Sequence, residues 1–136
     1  MPNFNFRDWL QQLDLEEQAT DQYTASLNAL REVTDALEER LNSGLPDKPI
    51  AIELIPGLQA TRGQQFNVKL RIPERGFQDG LFRAYIPLDG LPVTLDLYGD
   101  ELMPCESLEK MEQQIANFLN EIQSRLTQYR TFARSL

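Results

Sequence analysis

Phe66-Asn67-Val68-Lys69-Leu70-Arg71-Ile72 is the stretch that decides the fold class. Every second residue is apolar, and those between are polar or charged. A pleated strand sends successive side chains to opposite faces, so this run has one face for a core and one for water. Its neighbours repeat the pattern. Upstream, Ile50, Ile52 and Leu54 alternate with Ala51, Glu53 and Ile55. Downstream, Phe82, Ala84 and Ile86 alternate with Arg83 and Tyr85; Val93, Leu95 and Leu97 alternate with Thr94, Asp96 and Tyr98. Turn residues separate the runs: Pro56-Gly57 through Arg62-Gly63, Pro73-Glu74-Arg75-Gly76 through Asp79-Gly80, and Asp89-Gly90. Asp-Gly between alternating runs signals a hairpin, because the tight turn needs positive φ. Short links predict a four-stranded antiparallel meander over about residues 49–98.

On either side the period changes to that of a helix. Tyr23, Leu27, Leu30, Leu37 and Leu41 recur at spacings of three and four, with Thr20 and Thr34 in the intervening slots. Leu108, Met111, Ile115, Phe118, Ile122, Leu126 and Tyr129 do the same. Each stripe must bury against something. The expected fold is α+β, a single domain over 1–136: a short helix about 4–13, a long helix about 15–43, the sheet, and a C-terminal helix about 105–134. Two long amphipathic helices then cover one face of the meander. Asn5 can cap the first helix, and a break is expected near Asp14, where Asp14 and Glu17 form a variant capping box. Gly44, Pro46 and Pro49 end the long helix. Pro104 suits the first turn of the last one, and Ser107 can cap it.

The chain has 136 residues, 41% of them hydrophobic, enough for a core without disulfides or metal. No apolar run approaches the roughly 20 residues that span a bilayer. The start has neither a basic opening nor an apolar stretch, and Cys105 is the single cysteine. Together these predict a cytoplasmic protein. The net charge is −8, which argues against nucleic acid and anionic membranes as partners. Residues 1–48 hold ten acids and four bases, so the acid is concentrated in the first helical region.

Catalytic chemistry has little to work with. There is no histidine, so the commonest general base and metal ligand are missing. The best carboxylate cluster is Asp96, Asp100 and Glu101, read as a solvated strand end. Cys105 falls at the expected start of the last helix, where the helix terminus would favour a thiolate and Glu101 and Glu106 would oppose it. No catalytic residue, metal or cofactor is expected, and the chain is not expected to be an enzyme.

Two surfaces stand out instead. Lys69, Arg71, Arg83, Tyr85 and Tyr98 share the predicted outward sheet face, a basic and aromatic group in an acidic protein; tyrosine and arginine are common at binding hot spots. Second, a 27-residue helix is about 40 Å long and a six-residue strand about 20 Å, so the helix ends should overhang the sheet. Phe6, Trp9 and Leu13 at one end, and Tyr129 and Phe132 at the other, are candidate dimer contacts. The acidity, small size and helix–sheet–helix order loosely resemble type III secretion chaperones. Those place a helix within the strand series, where this chain shows no helical period, so no residue is carried over. The function expected is a non-catalytic protein–protein interaction protein, an adaptor, assembly factor or small chaperone, acting as a homodimer. The alternatives are an acidic immunity or antitoxin-like protein that blocks a basic partner, and a carboxylate-based enzyme or small-ligand binder.

Overall fold

The computed structural model describes residues 5–60, 62–97 and 101–134, with side chains described except at 12–20 and 58–60. Five strands form one antiparallel sheet: β1 (Ala51–Ala60), β2 (Gly63–Ile72), β3 (Phe77–Pro87), β4 (Val93–Asp96) and β5 (Met103–Cys105). They lie in sequence order, a meander. On the inward face Phe66, Val68, Leu70 and Ile72 of β2 are buried, as their alternation requires. Each such side chain contributes roughly 1.5–3 kcal/mol.

The structure has one strand more than the four expected. β5 is Met103-Pro104-Cys105, too short to show a period and containing a proline; only an edge strand tolerates that. Asp79-Gly80 is not a turn. The chain reverses at a 3₁₀ turn, Pro73–Arg75, followed by Gly76, and Asp79-Gly80 lies inside β3. There the pairing shifts: Val68 faces Phe82, but Lys69 faces Gly80. Leu81 is the extra residue of a bulge, so Leu81 and Phe82 are both buried although adjacent.

The first helix, α1, runs unbroken from Phe6 to Leu41, so the break near Asp14 is absent. Asn5 caps it, accepting from the backbone of Arg7 and Asp8, and no glycine or proline interrupts the span. Thirty-six residues make a rod about 54 Å long. From Tyr23 onward it packs against the core, with Ala29, Leu30 and Leu41 buried. The β3–β4 loop closes on it at Gly90: Ser26 Oγ donates to the Gly90 carbonyl at 2.7 Å, and a Cβ there would sit 2.6 Å from the Gln22 carbonyl oxygen.

The last turn of α1 also stands in for a missing strand. Asn42 donates to the Ile50 carbonyl at 2.8 Å and accepts from the Ile50 amide at 2.9 Å; Glu38 accepts from the Ile52 amide at 2.7 Å. These contacts occupy the start of the β1 edge, which would otherwise invite strand pairing.

The expected C-terminal helix is two helices. α2 (Leu108–Glu121) begins at Ser107, whose hydroxyl accepts from the Lys110 amide, and α3 (Gln123–Arg134) follows a break at Ile122. Met111, Ile115 and Phe118 of α2 are buried in the same cluster as the inward strand residues. α3 reaches the beginning of β3, and Arg130 donates to the carbonyls of Leu41 and Ser43 at the negative end of α1.

Candidate interaction site

β2 and β3 bring Lys69, Arg71, Arg83 and Tyr85 to the outward face by register: Arg83 faces Asn67 and Asp96, and Tyr85 faces Gln65 and Thr94. Tyr98 lies outside the described residues. Arg71 is paired with Glu53 at 3.2 Å, both partly exposed, a contact worth about 0–1 kcal/mol. Tyr85 reaches back over Gly63. A Cβ at Gly63 would lie 2.6 Å from the Tyr85 hydroxyl, so glycine makes room for the ring.

Tyr85 borders two hollows. One, about 360 Å³, is lined by Gln65, Arg83, Thr94, Asp96 and Leu102 as well. The other, about 530 Å³, is lined with it by Arg62, Pro87, Leu88, Leu91 and Pro92. Leu88, Leu91 and Leu102 are exposed, Leu88 by 54%. Asp89 lines the second hollow as well, so the composite is a half-apolar surface edged by both signs, Arg62 and Arg83 with Asp89 and Asp96. Its outward row was readable from strand alternation. The leucines were not, because residues 88, 91 and 102 fall in connections without a period.

The candidate dimer contacts separate into two kinds. At the start of α1, Phe6 is 58% exposed and Trp9 45%, and their rings stack with centroids 5.6 Å apart. Leu10 beside them is exposed too. The side chain of Leu13 lies outside the described residues. At the other end, Tyr129 and Phe132 contact their own sheet, Tyr129 partly buried and Phe132 still 41% exposed. Their centroids lie 5.3 and 5.7 Å from that of Phe77 on β3, and Arg75 sits over the Phe132 ring at 5.1 Å.

That packing holds a polar group the sequence did not disclose. Tyr129 donates its hydroxyl to Asp79, and Arg125 Nε lies 3.6 Å from the same carboxylate. Burial, then the hydrogen bond and charge of Asp79, push the Tyr129 hydroxyl up to about 12, with Arg125 opposing. Asp79 shares the inward side of β3 with Phe77, on the near side of the bulge. Parity with Phe77 was the available signal, and reading Asp79-Gly80 as a turn hid it.

The residues weighed for catalysis do not converge. Asp96 lines the outward hollow, whereas Glu101 lines another, of about 200 Å³, against α2. Asp100 lies outside the described residues. Among the described residues, no three acidic, cysteine or histidine groups are placed to hold a metal ion. Cys105 is not at a helix start: it is buried in β5, before the Ser107 cap. Burial pushes its thiol up, against a smaller effect of Lys110, so the environment favours the protonated form. Among the described residues no helix is long and apolar enough to cross a membrane.

The chain matches no family model, no curated protein and no solved structure.

Proposed function

We propose that this chain is a non-catalytic protein–protein interaction protein, an adaptor, assembly factor or small chaperone, that acts as a homodimer in the cytoplasm. The observation that carries the reading is the tip of α1, where the stacked Phe6–Trp9 pair stands in water with Leu10 beside it. Exposed apolar area forgoes about 25 cal/mol per Å² of burial, so a clustered patch of large side chains is characteristic of a contact surface. Aromatic side chains are also the usual anchors of interfaces. Light scattering over a micromolar concentration range tests it. The expected mass is twice 15.7 kDa, falling to 15.7 kDa for Trp9→Glu with unchanged circular dichroism. A wild-type mass of 15.7 kDa throughout would remove the homodimer.

A second reading has its own observation. The C-terminal half of α1 borders a hollow of about 470 Å³ lined by Asp35, Glu38, Glu39 and Lys48, an acidic surface suited to a basic partner. An immunity or antitoxin-like role would follow. Salt-sensitive capture of a basic protein, lost in an Asp35→Lys, Glu39→Lys double variant and retained by Trp9→Glu, would favour it.

A further inference from the structure

The first of the two hollows that Tyr85 borders is built by strand register. Two rows of side chains cross the outward face there. Gln65, Tyr85 and Thr94 lie opposite one another on β2, β3 and β4, and Asn67, Arg83 and Asp96 form the next row. The hollow between them, about 360 Å³, has a volume within the range of small-molecule sites. Leu102, exposed, and the Tyr85 ring, for which Gly63 makes room, give it apolar surface.

This hollow holds an opposite-charge pair that is left open. Arg83 and Asp96 are direct cross-strand partners, the placement in which such charges attract. Arg71 and Glu53 on the same face are not direct partners, yet they close to 3.2 Å. Among the described residues Arg83 makes no ion pair, with Asp96 or with any other group. On its other side, Asn67 Oδ1 is buried with no hydrogen-bond partner among the described residues. A planar fork of donors thus stands between two acceptors and serves neither. Asp96 has a contact of its own, but a carboxylate accepts several donors at once.

The charges select the occupant. An anion alone would meet Asp96, and a cation alone would meet Arg83. A neutral molecule would cover both without answering either. We infer that the hollow binds a free α-amino acid with an apolar or aromatic side chain: its carboxylate on the Arg83 fork, its ammonium at Asp96, its side chain against Tyr85 and Leu102. Both charges of such a molecule sit on one carbon, which suits two directly opposed residues. Within a polypeptide chain they are lost, so the ligand is a free molecule.

The test follows the full chain by heteronuclear NMR with three probes that share a ring. They are L-phenylalanine, phenethylamine, which lacks the carboxylate, and hydrocinnamate, which lacks the ammonium. Phenylalanine should shift the amide signals of Tyr85, Thr94 and Leu102 saturably. Each analogue should bind at least about tenfold more weakly, having lost one charge-assisted contact. Arg83→Ala, at an exposed site, should weaken phenylalanine about tenfold and leave phenethylamine unchanged. Equal weakening of both probes would make Arg83 structural and overturn the assignment. Hydrocinnamate binding as tightly as phenylalanine would overturn the zwitterion, and phenethylamine doing so would remove the Arg83 contact. No shifts up to the solubility of phenylalanine, or shifts centred away from β2, β3 and β4, would remove the site. None of these outcomes bears on the homodimer, which light scattering decides separately.

Discussion

The N-terminal end of α1 and the C-terminal end of α3 carry the same kind of side chains, but the α3 pair contacts the sheet through Phe77 even though Phe132 keeps 41% exposure. Phe6 and Trp9 stack on each other in solvent. Tyr129 and Phe132 pack tilted and edge-on against Phe77, and Tyr129 is fastened to Asp79. The difference lies in the sheet beneath. β3 spans 11 residues against four in β4, so its first half provides a landing place for α3. Among the described residues, the tip of α1 has no such strand under it. An amphipathic helix end therefore does not by itself specify an oligomer. What specifies one is whether the same chain extends a partner element far enough to cover it.

Phe77→Ala puts the greatest strain on this contrast. It removes the ring beneath both C-terminal aromatics, and a loss of about 2–3 kcal/mol is expected, less than the 3–5 of a fully buried phenylalanine because Phe77 is half-buried. Urea unfolding of dilute protein measures it. A loss near zero would mean that α3 is not held by this cluster.

Tyr129→Phe keeps the ring and deletes the hydroxyl that donates to Asp79, for an expected loss of about 1–2 kcal/mol. The same pair sharpens the comparison through pH. Because the folded hydroxyl titrates near 12 rather than 10, its stabilisation is complete below pH 10 and lost as pH rises through 12. The stability gap between wild type and Tyr129→Phe should therefore shrink across that window. A constant gap would show that the hydroxyl is not held in its protonated form by the fold.

Trp9→Ala should have the smallest effect on the dilute chain, within about 0.5 kcal/mol, because no described contact of Trp9 reaches the core. A loss comparable to that of Phe77→Ala would erase the distinction between the two ends.

Much of the fold could be read before the structure; this contrast could not, because both helix ends read alike as candidate dimer contacts, and what stayed hidden has physical causes. Period two in Phe66–Ile72 and in Phe82–Ile86 sufficed for the antiparallel sheet, its inward row and the outward placement of Lys69, Arg71, Arg83 and Tyr85, though not for a fifth strand. Period 3.6 sufficed for the helices but not for their ends. A fractional capping signal at Asp14 lost to continuous helix formers, and the break at Ile122 has neither proline nor glycine to announce it. β5 was hidden by its length and by Pro104. Asp79 was hidden by the bulge at Leu81, since parity inverts across an extra residue and a dipeptide cue for a turn is local. The outward hollows depend on where Leu88, Leu91 and Leu102 fall in connections, and connections carry no period.

Trp9 is the only tryptophan in the chain, so its fluorescence reports the tip alone. The most direct measurement is the emission and acrylamide quenching of Trp9 as wild-type protein is raised from nanomolar to high micromolar concentration. Burial of the tip against a second copy should shift the emission to the blue and lower the quenching constant in step with the rise in mass. Emission that stays red and fully quenchable while the mass doubles would contradict the account, placing the interface away from the α1 tip.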